Sequence, residues 1–112
     1  SDKNVRLALS YATDKKEILN NILSDNGTAV DSPMLPGIID IPNSVEKYNF
    51  DAEKAKKILD DAVWKYSETD KIREKTPAPS KKGAKPAESI TLEIRLTTSN
   101  WPELIAVADL IK

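Results

Sequence analysis

The first quarter of the chain carries apolar residues at three- and four-residue steps. They are Val5, Leu7, Ala8, Leu9, Ala12, Ile18, Leu19, Ile22 and Leu23. This spacing is typical of an amphipathic helix, so we expect helix over residues 3–24. Asp14 with Glu17 three residues later matches a capping box, which predicts either a second helix beginning there or a kink at 13–14. We expect Gly27 to end the helical part in the left-handed conformation.

The middle of the chain alternates between irregular and helical patterns. Residues 28–50 contain three prolines and no sustained period, so we expect an ordered, extended connector. Asp51 is suited to cap a helix over residues 51–64. The apolar stripe of that helix comprises Ala52, Ala55, Ile58, Leu59 and Ala62. Residues 67–89 are polar and rich in proline and lysine, which predicts a loop.

The last quarter contains the clearest strand pattern of the chain. Ile90, Leu92, Ile94 and Leu96 alternate with polar residues. This period of two predicts a strand over residues 90–98. Asn100 followed by Glu103 indicates an N-cap, and Pro102 suits the first turn of a helix over residues 101–112. The buried face of this helix is predicted to comprise Leu104, Val107, Ala108 and Ile111.

The pattern therefore predicts mostly helices plus one clear strand, which is an α/β class (an α+β fragment). A single strand leaves unpaired backbone groups along both of its edges. The last helical pattern is also still running at Lys112, so we expect residues 1–112 to form a single fragment of a longer protein. We further expect two copies to form a homodimer, either through pairing of strand 90–96 or through exchange of the C-terminal helix.

Composition narrows the possible functions. The 112 residues have a net charge of -1, which disfavours a nucleic-acid-binding protein because such proteins need a concentrated basic face. The lysine cluster at 81, 82 and 85 lies among small residues and prolines and is interpreted as a solvated linker. The chain has no cysteine and no histidine, so we expect no metal site and no cofactor. No apolar run approaches the roughly 20 residues that cross a bilayer.

The acidic residues do not form a catalytic pattern. Those that invite a paired-carboxylate interpretation are Asp14, Glu17, Asp60 and Asp61, and they lie at helix caps or on solvated helix faces. No nucleophile elbow, glycine-rich nucleotide loop or metal-ligand spacing is present. We therefore expect that the protein is not an enzyme.

Five blocks of the sequence, in this order and spacing, resemble the extracellular solute-binding proteins of family 5. The blocks are VRLALSYATDKKEILNNIL, GTAVDSPMLPG, YNFDAEKAKKILDDAVW, DKIREK and ITLEIRLTTSN, and they cover roughly residues 4–112. The chain departs from the family pattern at Ala29 and Val30, where Pro-Ala is frequent. It also departs at Val63 and Lys71, where the family has glycine. These departures bear on the local turns.

The resemblance implies a fold, a location and partners. The family comprises the peptide-, dipeptide- and nickel-binding subunits of ABC importers. The implied fold is one lobe of a periplasmic-binding-protein type II fold, here part of the C-terminal lobe. The implied partners are a small solute or peptide and the permease subunits. The implied location is periplasmic or at the cell surface, after export and with or without a lipid anchor. A single lobe cannot close around a ligand, so this fragment is expected to be silent by itself.

The candidate ligand-binding residues follow the predicted strand. Thr98, Ser99, Asn100 and Trp101 stand where a strand ends and a helix begins, a place where ligands of α/β sheets often bind. In oligopeptide-binding members of the family, this turn carries an aspartate that pairs with the α-amino group of the peptide. The matching residue here is Asn100, which supplies no charge. The alternative for Asn100 is N-capping, and the alternative for Trp101 is packing.

Two other functions remain open at this point. One is a structural module that uses the strand to recruit a partner by strand addition. The other is a piece of a small α/β enzyme, which no motif supports.

Further aromatic residues, Trp64, Tyr48 and Phe50, flank the helix after Asp51 and are expected to pack against it.

Overall fold

The computed structural model describes residues 2–32, 38, 46–77 and 88–111. The elements are helices α1 (Lys3–Ala12), α2 (Lys15–Asn21), α3 (Ala52–Asp61) and α4 (Pro102–Ile111), and strands β1 (Lys65–Ser67), β2 (Ile72–Lys75) and β3 (Ile90–Thr91). The lysine cluster at 81, 82 and 85 and the prolines of the connector lie outside the described residues.

Helices α1 and α3 pack against each other and form the core. Among the described residues, the buried hydrophobic side chains are Ala8, Tyr11, Ala55 and Trp64. Two of these are alanines, one on each helix, and their small side chains permit the helices to approach closely. Tyr48 of the connector packs edge-to-face on Tyr11, with ring centroids 5.3 Å apart. The connector is also held by the Asp51 N–H, which donates to the Tyr11 carbonyl at 2.8 Å.

The first helical segment is divided into two helices. Thr13 is extended (φ -92°, ψ 112°), and the Asp14 carboxylate accepts from the N–H groups of Lys16 and Glu17, both at 3.0 Å. An N-cap of this kind satisfies backbone donors that a helix start leaves unpaired. Helix α2 ends at Asn21, earlier than the predicted end at residue 24.

The prediction for Gly27 was wrong. Ser24 (φ 48°) and Asp25 (φ 61°) take the left-handed conformation, because α2 ends early and the chain has already turned before Gly27. Gly27 serves a different purpose. A Cβ atom there would lie 2.9 Å from Leu19 Cδ2, so the end of the Leu19 side chain would have to shift if another residue replaced the glycine.

The segment predicted as a loop over residues 67–89 contains a strand. Strand β2 pairs antiparallel with β1 on one side and with β3 on the other, which gives a three-stranded sheet of order β1-β2-β3. The sequence of β2 is Ile-Arg-Glu-Lys, which lacks an apolar alternation, so pattern alone could not reveal it. The prediction of one clear strand is corrected to three strands within the described ranges.

The last strand is shorter than predicted and is not alone. The prediction placed it over residues 90–98, but only Ile90 and Thr91 form a ladder with β2, extended by a Leu92 N–H bond to the Arg73 carbonyl at 2.8 Å. Beyond Glu93, which this register places opposite Ile72, β2 has ended, and the described residues provide no strand opposite the rest of the segment. The expectation that this strand lacks any partner was therefore wrong for one edge.

Helices α3 and α4 are both shorter than the sequence suggested. The predicted helix over residues 51–64 ends at Asp61, before Val63 turns with a positive φ of 67°. Helix α4 begins at Pro102 and has no buried side chain among its described residues. Half-exposed apolar residues of α4 include Leu104 (43%) and Ile111 (44%).

Candidate functional site

The predicted ligand-binding residues lie together on the surface between β3 and α4. Residues 92–99 form no helix, turn or bend, and α4 begins two residues after Asn100. All four candidates, Thr98, Ser99, Asn100 and Trp101, are exposed, and the Trp101 side chain is 69% exposed. The junction therefore presents three short polar side chains and one mostly exposed indole ring.

The start of α4 is capped by Trp101 rather than by Asn100. The Trp101 carbonyl accepts the first helical bond, from the Ile105 N–H at 3.0 Å. Pro102 occupies the first helical position, which proline favours because its missing N–H is not needed there. This shifts the helix start by one residue from the predicted capping box. The expected capping role of Asn100 was therefore wrong.

The Asn100 side chain is consequently available for other interactions. Within the part of the chain that the structure describes, its amide forms no hydrogen bond. A carboxamide offers one acceptor oxygen and two N–H donors, but no charge. Glu103 supplies negative charge in the first turn of α4. This junction can accept hydrogen bonds from, and donate them to, a polar solute.

A second concave region lies near the junction of α1 and α2. This cavity has a volume of about 400 Å³. Its lining comprises Thr13, Asp14, Lys15, Lys16, Ala29, Asp31, Tyr48, Asn49 and Phe50. Lys15 Nζ donates to Asp31 Oδ1 at 2.9 Å and to the Val30 carbonyl at 3.0 Å. The Lys15 ammonium, through this hydrogen bond, holds the pKa of the Asp31 carboxyl below its usual value.

Sequence reasoning missed this cavity because three distant segments form it. Tyr48 was predicted to pack against α3, and its ring contact in the structure is with Tyr11 of α1. Trp64 is buried beside α3. Phe50 is half exposed (50%) and borders the cavity, so the expectation that it packs against α3 was wrong. The Lys15–Asp31 ion pair joins residues 16 positions apart, and no local pattern signals such a pair.

The sequence comparison decides the family. The model of the bacterial extracellular solute-binding proteins, family 5 (middle region), matches residues 1–112. This chain belongs to that family. The family resemblance noted in the sequence is thereby confirmed, and the mixture of helices with a small antiparallel sheet is that of an α/β fragment of a solute-binding protein domain.

Two curated relatives of this solute-binding family are similar over part of the chain. Heme-binding protein A of Haemophilus influenzae is 40% identical over 58 residues, which is 52% of this chain and 11% of the relative. Oligopeptide-binding protein AppA of Bacillus subtilis is 33% identical over 76 residues, which is 66% of this chain and 14% of the relative. The matched parts thus span a small share of both relatives. No solved structure matches the chain significantly.

Three further findings concern the relatives and the described residues. The relatives are solute-binding proteins and not enzymes. Across residues 2–32, 38, 46–77 and 88–111, no group of three or more acidic side chains is arranged to hold a metal ion. None of the helices in these ranges has the length and apolar character needed to cross a membrane.

Proposed function

We propose that this chain is part of the solute-binding component of an ABC importer that takes up peptides or a similar small solute. The observation that carries the proposal is the family match over residues 1–112. One relative is named for heme and the other for oligopeptides.

In this proposal the protein works outside the cytoplasm, in the periplasm or at the cell surface. It delivers its solute to permease subunits after two lobes close around it, a hinge motion that needs both lobes. This chain contributes one wall of the cleft, as part of the C-terminal lobe.

We further propose that residues 98–101 contact the solute. Three features support this assignment: their exposure, their position between β3 and α4, and the Asn100 amide that no capping bond occupies. The neutral amide favours a solute group that exchanges hydrogen bonds over one that needs a counter-charge. A peptide with a free, charged amino terminus is therefore held here without an ion pair.

The intact binding protein tests this assignment. We expect Asn100→Asp to tighten binding of peptides with a free amino terminus about tenfold, which corresponds to one favourable charge pair of about 1.4 kcal/mol. The same peptides with an acetylated amino terminus should not gain. The measurement is calorimetric titration of both peptide forms.

The matched control is Ala106→Asp, which adds the same charge on the exposed side of α4. This control should leave the affinities for the free-amino peptides and for the acetylated peptides unchanged. Equal affinities of the wild type and Asn100→Asp for free-amino peptides would remove Asn100 from the binding site.

A further inference from the structure

The turn that follows α2 contains an asparagine directly before a glycine. Asn26 is exposed and lies outside helix and strand, after α2 has ended at Asn21. Asparagine is one of the thermolabile residues of proteins. Its instability comes from a cyclisation, in which the backbone nitrogen of the next residue attacks the side-chain carbonyl carbon. The residue that follows an asparagine therefore decides how easily this nitrogen reaches that carbon.

Gly27 leaves the attacking nitrogen unhindered. Glycine has no Cβ atom and a wide range of backbone angles, so its nitrogen approaches the Asn26 side chain without a steric clash. The other asparagines in the described ranges lack a glycine neighbour. Asn49 and Asn100 are also exposed and outside helix and strand, but each precedes an aromatic residue. Asn26 thus differs from these two in its neighbour and not in its exposure.

Two backbone hydrogen bonds hold this turn and slow the reaction. The Asn26 N–H donates to the Leu23 carbonyl at 2.8 Å. The Gly27 N–H, on the nitrogen that attacks, donates to the Asp25 carbonyl at 3.0 Å. Because these bonds lie in an exposed turn and not within a helix, they open locally at a small cost in free energy. The folded protein is therefore less reactive at Asn26 than the unfolded chain, but it still reacts.

We propose that Asn26 is a site of spontaneous deamidation, through a succinimide ring that it forms with Gly27. Hydroxide removes the proton of the Gly27 nitrogen, which then bonds to Asn26 Cγ. The Cγ–Nδ2 bond breaks, and Nδ2 leaves as ammonia after taking a proton from water, which restores the hydroxide. Water next opens the ring at either of its two carbonyl carbons. Opening at Cγ gives aspartate, and opening at the backbone carbonyl carbon gives isoaspartate.

Both products alter the charge of the turn, and isoaspartate also alters its backbone. The new carboxylate stands directly after Asp25, so two like charges become neighbours. The main chain of isoaspartate runs through Cβ and Cγ and is longer by one methylene group. This methylene group lies between the two N–H groups that hold the turn, and it displaces Gly27 relative to Leu19 of α2. The modified protein is therefore more acidic, and its turn after α2 is rearranged.

Incubation of the intact binding protein at mildly alkaline pH, followed by peptide mapping, tests the proposal. The peptide that contains Asn26 should acquire the mass shift of an amide-to-acid conversion. Fragmentation that distinguishes the two acids should find both aspartate and isoaspartate at this position. The same peptide from denatured protein should convert faster, because no hydrogen bond then occupies the Gly27 nitrogen.

The controls lie in the same protein. The peptides that contain Asn49 and Asn100 should stay unmodified over the incubation that converts Asn26. Asn26→Gln is the matched variant, because glutamine keeps the amide but would have to close a larger ring. This variant should lose the conversion at residue 26.

Three results would overturn the proposal. One is an Asn26 that stays intact in the folded protein, because the turn then does not open. Another is conversion of Asn49 or Asn100 as fast as Asn26, because Gly27 then has no special effect. The third is aspartate without isoaspartate at position 26, since direct hydrolysis of the amide, without a ring, gives aspartate alone.

Discussion

Val63 and Lys71 adopt the left-handed backbone conformation at two turns where the family has glycine. Val63 has a φ of 67° and Lys71 a φ of 59°. Both stand where the resembling sequences carry glycine. A residue with a Cβ in this region costs roughly 1–2 kcal/mol. The left-handed turns are thus retained at the cost of local strain, which is largest for the β-branched Val63.

We expect Val63→Gly to raise the free energy of unfolding by up to about 1.6 kcal/mol. The substitution relieves roughly 1–2 kcal/mol of strain, and the added freedom of the unfolded chain offsets roughly 0.4–1 kcal/mol of this gain. Urea unfolding measures the difference. The control is Ala62→Gly, because Ala62 has a φ of -82° and carries no such strain. If both glycines destabilise equally, Val63 is not strained.

The Asp2 carboxylate joins the start of α1 to Trp64, which follows α3, and to Lys75 of β2. It accepts from the Asn4 N–H at 2.9 Å and from Trp64 Nε1 at 3.1 Å, and it lies 3.5 Å from Lys75 Nζ. The Trp64 hydrogen bond is the main cause that holds the pKa of Asp2 below its usual value, with the Asn4 bond and Lys75 acting in the same direction. The stabilisation is therefore present above the unfolded pKa and is lost as the pH falls through the lower folded pKa.

We expect Asp2→Asn to lower the urea midpoint at pH 7, because asparagine still caps α1 but supplies no charge to Lys75. The difference from the wild type should shrink as the pH falls below the usual aspartate range. Asp25→Asn is the control, since Asp25 lies in an exposed turn. A difference that stays constant down to the lowest pH would show that the Asp2 charge is irrelevant.

At the scale of elements, Arg73 of β2 links the small sheet to α3 through an ion pair with Asp60. Its guanidinium pairs with Asp60 near the end of α3 and donates to the Trp64 carbonyl at 2.7 Å. The Arg73 side chain is only 15% exposed. A partly buried charge with two partners holds β2 in place, although the sequence of β2 has little strand character.

We expect Arg73→Met to destabilise the protein by about 1.5–3 kcal/mol, the range for hydrogen bonds to a charged group. Methionine keeps much of the side-chain volume, so the loss of stability measures what the polar contacts of Arg73 contribute. Urea unfolding measures the change, and Lys57→Met on the exposed side of α3 is the control. Equal midpoints for the two variants would show that Arg73 does not anchor the sheet.

At the scale of the whole molecule, the core is small. Among the described residues four hydrophobic side chains are buried, while α4 and residues 93–101 are exposed almost throughout. The slope of unfolding free energy against urea scales with the surface that unfolding exposes. A small core therefore predicts a shallow transition.

We expect a urea slope below about 1 kcal/mol/M, the lower end of the range for small proteins. Fluorescence of Trp64, which is 8% exposed, reports unfolding of the core. Trp101→Phe removes the exposed indole and isolates that signal. The measurement is made at low micromolar concentration to limit self-association. A slope well above this value would mean that the monomer buries much more surface.

The sequence by itself determined the features that depend on local spacing. The caps at Asp14 and Asp51 follow from the fixed reach of a carboxylate to backbone N–H groups two or three residues later. The period of three and four predicted that α1 and α3 each have one buried side. The five sequence blocks indicated the family, and the family match confirmed it.

Only the tertiary structure decided the features that join distant residues. Strand β2 exists because β1, β3 and the Arg73 contacts satisfy its backbone and charge, and none of these partners is visible in its own four residues. The capping of α4 by Trp101 leaves Asn100 free, although spacing favoured Asn100 as the cap. Local patterns report local hydrogen bonds and periodic burial, whereas strand pairing and ion pairs between distant residues depend on how the whole chain packs.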